Sequence, residues 1–385
     1  MISRRPRSLP FRLVALTSIF WIFGPVSAVE SDAATRASTR QKSAKSRTSA
    51  KPSTTTAKSK TSTARKSSVS AASRSTSKSA YSASRSRARR ARVARALALQ
   101  RQREAREAMV PRFKLDEGGA LVPDIRAAAA VVYNPATQEV LWEENGAETR
   151  SIASITKVMT AVVFLEHEAD LSRVVTVEPA DVIGARHTYL RRRERLRVDD
   201  ALNLMLVASD NAAARLLARV SPFGREGFID QMNEKARELG LTQTRYADPS
   251  GLLQENLSSA RDMARLIAYA ASDERIASVM RKTDHYLTTS RRSFSVHTTN
   301  RLVGSDIDVL GGKTGFIRSS GYCLATLLRL PQTNEEVAVV VLGARSNAGR
   351  FWETRHLFNW ISSNTQGLFA PAAPPQPASE IPQEP

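Results

Sequence analysis

The larger part of this chain is predicted to adopt an α+β fold, one antiparallel sheet covered by helices. Three observations lead there. A hairpin pattern opens the folded region, helical patterns fill its middle, and apolar strand runs closed by one helix end it.

Taken in order, Ala127 to Tyr133 is an apolar run, Asn134-Pro135-Ala136-Thr137 reads as a turn, and Gln138 to Glu143 alternates as a paired strand should. A helical pattern follows Ser154, with Val158, Ala161, Val162 and Leu165 at helix spacing. Val198 to Ala208 and Ala212 to Val220 are helical on either side of the polar Ser209-Asp210-Asn211. Phe228 to Leu239 is a helix closed by Gly240 as its C-cap, and Ser259 to Ala271 is a capped amphipathic helix. Asp248-Pro249-Ser250-Gly251 between them is a turn. Strands are expected at Phe294 to Thr298, Asp308 to Phe316, Tyr322 to Arg329 and Val337 to Leu342. A final helix runs from Phe351 to Ile361.

The termini differ in composition. Arg4, Arg5, Arg7 and Arg12 precede an apolar stretch from Leu13 to Phe23, and Val26-Ser27-Ala28 offers small residues for cleavage. Residues 1–28 therefore read as a signal peptide cut after Ala28, on the general secretory rather than the twin-arginine route. The predicted fate is export from the cytoplasm. The apolar stretch is short for a membrane span, so no integral membrane domain is expected after cleavage. Residues 29–84 are built from Ser, Thr, Ala, Lys and Arg with almost no large apolar side chains, the composition of a disordered basic arm. Residues 85–119 form a basic helical linker, residues 120–365 the folded domain, and residues 366–385 a Pro-rich tail.

The formal charge of +20 belongs to the arm. Ser31 to Ala108 carries 21 Lys and Arg against 3 acids, whereas Met109 onward carries 32 against 33. A polyanion contact through residues 31–108 follows as an accessory function, and a polyanion-binding protein as a reading of a different class. With almost no aromatics for base stacking, sequence-specific nucleic-acid recognition is not expected. Cys323, the single cysteine, excludes an intramolecular disulfide and reads as a small buried strand residue. The five histidines are scattered, so no metal site and no cofactor is predicted.

Chemistry concentrates in three short motifs. Ser154-Ile155-Thr156-Lys157 puts a lysine amine one helical turn from a serine hydroxyl, which a desolvated amine can deprotonate. The same spacing also describes a serine capping a helix beside a solvated lysine. Ser209-Asp210-Asn211 and Lys313-Thr314-Gly315 are equally ordinary alone, a loop between helices and a charged strand edge. Together and in this order the three are specific.

With these motifs the chain resembles the low-molecular-weight penicillin-binding proteins, the serine D-Ala-D-Ala peptidases of the bacterial periplasm. Asp248-Pro249-Ser250-Gly251-Leu252 and Gly321-Tyr322-Cys323-Leu324 extend the likeness across roughly residues 120 to 365. Within the family it is most similar to the D-alanyl-D-alanine endopeptidases of the penicillin-binding protein 7 type, so no second β domain or anchoring helix is expected. The resemblance implies the β-lactamase/penicillin-binding transpeptidase-like fold. It implies Ser154 as nucleophile, Lys157 as general base, Ser209 as proton relay, and Asn211 bonding Lys157 and the substrate backbone. Lys313, Thr314 and Gly315 would bind the substrate, and the backbone N–H groups of Ser154 and Phe316 would form an oxyanion hole. Lys313 would help keep Lys157 neutral. The implied partners are peptidoglycan stem peptides, with β-lactam antibiotics as covalent inhibitors. The implied activity is cleavage of D-Ala-diaminopimelate cross-links, with trimming of pentapeptides by a D-alanyl-D-alanine carboxypeptidase as the alternative. A β-lactamase would need a Glu-x-x-Leu-Asn pattern between the second and third motifs. Glu255-Asn256 lacks that spacing, so slow penicillin hydrolysis is expected.

Overall fold

A computed structural model describes residues 69–168 and 170–364. The predicted signal peptide, most of the basic arm and the Pro-rich tail lie outside these residues. Helix α1 (Val69–Met109) leads into strands β1 (Phe113–Leu115) and β2 (Leu121–Pro123). It begins inside the segment read as disordered, where residues 69–84 contain no Gly or Pro to break a helix. The hairpin β3 (Ala129–Asn134) and β4 (Glu139–Glu144) lies within a residue or two of its expected position, and β5 (Arg150–Ser151) follows. The middle holds α2 (Thr156–His167), β6 (Val174–Thr176), α3 (Pro179–Val182), β7 (Arg195–Arg197), α4 (Val198–Val207), α5 (Asn211–Val220), α6 (Gly224–Glu238), β8 (Leu257–Ser258), α7 (Ala260–Ser272) and α8 (Glu274–Met280). Strands β9 (Asp284–Thr288), β10 (Ser293–His297), β11 (Asp308–Ile317), β12 (Gly321–Arg329) and β13 (Glu336–Ala344) precede α9 (Asn347–Ser363).

The main sheet is antiparallel, in the order β11-β12-β13-β3-β4. Period-two alternation divides its side chains between two cores. Ala338, Val340 and Leu342 of β13 join Ala129, Val131 and Tyr133 of β3 on the face packed by α7. Val337, Val339 and Val341 join Ala130 and Val132 on the face packed by α9. Burial on both faces explains why β13 reads as an unbroken apolar run. Cys323 is fully buried on β12, as expected.

The larger core continues into α2, α4, α5 and α6, leaving β11 as the sheet edge beside the helical layer. Caps set the helix starts that matter here. Ser259 opens α7 by accepting from Asp262 N, and Asp210 opens α5 by accepting from Ala213 N, each a contact worth about 1 kcal/mol. Among the described residues no helix is long and apolar enough to cross a membrane.

Candidate active site

Five segments distant in sequence meet where β11 faces the helices: the turn before α2, the α4–α5 loop, the Asp248–Gly251 turn, β11 itself and the start of α9. They bring together every residue singled out by the three motifs.

Ser154 lies in a single turn of 3₁₀ helix, Ala153–Ile155, ahead of α2 rather than at an α-helix start. Ala153 has φ of +47°, in the left-handed region that residues with a Cβ avoid. Two glycines seat this turn. A Cβ on Gly251 would lie 2.0 Å from the Ala153 carbonyl oxygen and 2.9 Å from Ser154 N. A Cβ on Gly315 would lie 2.7 Å from the Ile152 carbonyl oxygen and 3.2 Å from Ser154 N. Glycine at 315 thus lets β11 press against the serine turn, bringing Phe316 one residue away.

Lys157, in the first turn of α2, is completely buried. Its Nζ is 2.9 Å from Ser154 Oγ, 2.6 Å from Asn211 Oδ1 and 2.5 Å from the Ser250 carbonyl oxygen. The last two are acceptors only, so a neutral amine donates both its hydrogens to them and turns its lone pair to the serine hydroxyl. Asn211 donates from Nδ2 to the Ala185 carbonyl at 2.8 Å, which fixes its oxygen toward the lysine. Burial lowers the Lys157 pKa to about 7, against the opposing pull of the Asp248 and Asp210 carboxylates and with some help from Arg215.

Lys313 is also buried, donating to Ser209 Oγ at 2.8 Å and to the Thr314 carbonyl at 2.9 Å. Its pKa is held well below the ordinary value, first by burial and then by the charges of Lys157 and Arg350. Burial is thus the first cause of the lowered pKa at both lysines, and the repulsion between them disfavours both being charged at once.

Ser209 has φ of +60°, a strained setting for a serine, and stands at the junction of α4 and α5. Thr314 Oγ1 shares a hydrogen bond of 2.6 Å with Thr299 Oγ1. Phe316 is half exposed and stacks on Tyr322 with ring centroids 4.3 Å apart. Glu255 is exposed, and Asn256 is buried, donating to Asp248.

Two contributors lie outside the three motifs. Asp248 accepts from the N–H groups of Ser250, Gly251 and Leu253, from Ser250 Oγ, and from Asn256 Nδ2. Burial pushes its carboxyl upward, and these bonds outweigh that and leave its pKa lowered. The turn it holds supplies both the carbonyl on Lys157 and the glycine under Ser154. The turn was legible, but nothing in its residue types marks a carbonyl as a lysine partner. Arg350 of α9 is 6% exposed and has no carboxylate partner among the described residues. Its Nη1 donates to the carbonyls of Gly315 at 2.9 Å and Cys323 at 3.2 Å, tying β11 to β12 from beneath. Burial lowers its pKa to about 10.

Replacing Asp248 with Asn should destabilise the fold by about 2–3 kcal/mol, because an amide N–H would face groups that are themselves donors. Removing the negative charge also disfavours protonated Lys157, so the pH at which Lys157 becomes neutral should move below 7. A pH titration of Lys157 and a thermal melt check both; an upward shift would contradict the geometry.

A family model described as D-alanyl-D-alanine carboxypeptidase matches residues 117–346. The chain is 35% identical to a D-alanyl-D-alanine endopeptidase of Haemophilus influenzae, over 58% of this chain and 78% of that protein. It is 32% identical to a D-alanyl-D-alanine endopeptidase of Escherichia coli, over 63% of this chain and 79% of that protein. Among solved structures it resembles penicillin-binding protein D2 of Listeria monocytogenes in a cefotaxime-bound form. That match has TM-score 0.55 and 28% identity, and covers 61% of this chain and 97% of the other.

Proposed function

The chain belongs to the D-alanyl-D-alanine carboxypeptidase family and is a serine-type D-Ala-D-Ala peptidase; from that premise we propose that it is a D,D-endopeptidase cutting D-Ala-diaminopimelate cross-links in peptidoglycan. The observation that carries the chemistry is the buried Lys157 amine within 2.9 Å of Ser154 Oγ. The endopeptidase preference is supported by the two relatives of that name.

In this reading Ser154 Oγ attacks the D-Ala carbonyl carbon as its proton passes to Lys157 Nζ. The carbonyl oxygen, now negative, rests on the N–H groups of Ser154 and Phe316, where loss of a donor costs about 3 kcal/mol. Collapse breaks the C–N bond as the proton held on Lys157 reaches the departing amine through Ser209 Oγ, leaving Lys157 neutral. Water then attacks the acyl carbon with Lys157 taking its proton, and as the acyl–oxygen bond breaks Lys157 returns that proton to Ser154 Oγ. Asn211 orients Lys157 and the substrate backbone. Lys313 and Thr314 hold the carboxylate next to the scissile amide; that carboxylate offsets the burial penalty and keeps a proton on Lys313. A β-lactam acylates the same serine and leaves slowly. Asp248, whose charge raises the Lys157 pKa most, is occupied by five donors rather than free to activate water.

Digestion of purified sacculi tests the reading. Cross-linked dimers should disappear with the wild type and persist with Ser154→Ala, which should also lose fluorescent penicillin labelling. Loss of pentapeptides with dimers intact would replace it by the carboxypeptidase, and rapid turnover of benzylpenicillin would remove the inhibitor assignment. Export to the periplasm, with cleavage after Ala28, is part of the same proposal and is read by N-terminal sequencing. The basic arm of residues 31–108 is proposed as an accessory contact to polyanions; its deletion should weaken sacculus binding at low salt.

A further inference from the structure

The folded region is close to neutral, with 32 Lys and Arg against 33 acids from Met109 onward, but its charges are not spread evenly. Elsewhere on its surface many arginines find carboxylates, such as Arg219 with Glu178 and Asp181, Arg275 with Asp273 and Arg355 with Asp306, and those without one, such as Arg245, Arg318 and Arg345, are scattered along the chain. The loop leading to β7, with β7 itself, is different. Arg186, Arg191, Arg192, Arg193, Arg195 and Arg197 are all exposed, and among the described residues none of their guanidinium groups has a hydrogen bond or ion pair. The one acid in that stretch, Glu194, is fully buried and accepts from Arg191 N at 2.9 Å and Arg292 Nε at 3.2 Å. It offers the exposed guanidinium groups nothing.

The loop that carries this face also adjoins the active site. The loop's Ala185 and His187 carbonyls accept from Asn211 Nδ2 and Asn211 N. Thr188 Oγ1 and Tyr189 N donate to Asp210, next to Ser209. The β9–β10 hairpin locks on through Ser290 N to the Arg195 carbonyl at 2.8 Å and through Arg292 to the Tyr189 carbonyl. Tyr189 and Phe294 stack with centroids 6.0 Å apart, and Arg292 lies over the Phe294 ring. Thr299, just past β10, reaches Thr314 of β11. The arginines therefore stand on the Ser209 and Thr314 side of the groove, the side the proposed mechanism gives to the leaving group.

Six like charges in one short segment, unpaired among the described residues, repel one another. Their use lies in a ligand that brings anions. Planar guanidinium forks suit carboxylates, and a surface contiguous with the catalytic groups meets whatever extends from the scissile bond. We propose that this arginine face binds the free carboxylates of an acidic peptide on the leaving-group side, that is, the second stem peptide of a cross-link. The assignment rests on the endopeptidase reading and deepens it. A departing single D-Ala ends at Lys313 and Thr314, whereas a departing stem peptide runs on with further carboxylates for the arginines to hold.

The test is binding of a purified cross-linked muropeptide dimer to Ser154→Ala protein, with and without Arg191→Gln, Arg192→Gln and Arg193→Gln together. The triple substitution should weaken binding roughly tenfold at low salt, as expected when a few exposed ion pairs are lost, and the gap should close at high salt. A dimer with amidated carboxylates should bind both proteins equally weakly. Arg186→Gln with Arg195→Gln gives a second, independent variant, and unchanged melting temperatures confirm folding. Equal affinities of the two proteins for the native dimer, the same tenfold weakening by the triple substitution when the dimer is amidated, or an effect confined to duplex DNA or anionic vesicles would overturn the proposal. Cleavage is read separately with Ser154 intact. Uncut dimers there, with arginine-dependent binding retained, would remove the endopeptidase reading alone; cut dimers with no arginine dependence would remove this one alone.

Discussion

Substituting Lys157 with methionine is expected to slow acylation of Ser154 by a β-lactam about 10²- to 10⁴-fold, the range for loss of a positioned base. Methionine has nearly the length of lysine and suits a fully buried site. Two opposing terms decide its stability. Removing a buried amine relieves a desolvation cost, but Asn211 Oδ1 and the Ser250 carbonyl lose their donor, at about 1–3 kcal/mol each. The melting temperature should therefore move by only a few degrees while the chemistry collapses. The pH profile adds a signature. Lys157 must be neutral to accept a proton, so wild-type acylation should rise with pH through about 7 and level off above it. The sign for stability follows from the same shift. Between pH 7 and 10.5 the unfolded chain holds a proton on this lysine that the folded chain lacks, so stability rises with pH across that window. The variant should lose both dependences. Wild-type acylation rates in the variant would remove Lys157 from the mechanism.

Replacing Gly251 with alanine should be nearly as damaging, without touching any reacting group. Its φ of +76° disfavours any side chain, and the new Cβ would overlap the Ala153 carbonyl at 2.0 Å, which is backbone and cannot swing aside. The serine turn would have to move. Displacement of a nucleophile by about 1 Å costs about 100-fold in rate, and that is the expected loss of penicillin acylation. Gly315→Ala makes the informative comparison. Its φ is ordinary for a strand and its closest contact is 2.7 Å, so it should lose less of both rate and melting temperature than Gly251→Ala. The reverse order would show that β11, not the Asp248–Gly251 turn, seats the nucleophile.

Much of the sheet was legible because its strands alternate or run apolar without a break, and β10 to β13 lie within a few residues of expectation. The helices α4 to α7 were readable from caps and apolar spacing. What escaped depends on contacts between distant segments. The 3₁₀ turn at Ser154 exists because Gly251 and Gly315 close on it, and spacing alone reads as the start of α2. The β1–β2 and β6–β7 pairs are three residues per strand, too short for a period to show. Strand β9, with exposed Asp284, Tyr286 and Thr288 around Leu287, has a single buried side chain to announce it. Every motif residue is legible without its spatial neighbours, since the motifs are local. The Asp248 network and Arg350 are not local, and a near-neutral count of charges concealed the arginine face because acids elsewhere balance it.

Arg350 gives the molecule an order of events. It lies in the last helix, yet its guanidinium holds the carbonyl of Gly315, the residue pressed against the nucleophile's turn. Ser154, Ser209 and Lys313 all precede α9 in the chain. Until α9 docks, β11 lacks the Arg350 contact, and the parts of the site are present without being assembled. Competence for acylation is thus expected only once the final helix is in place. A chain stopped at Ala344 should remain unlabelled by fluorescent penicillin, although it retains every residue of the three motifs.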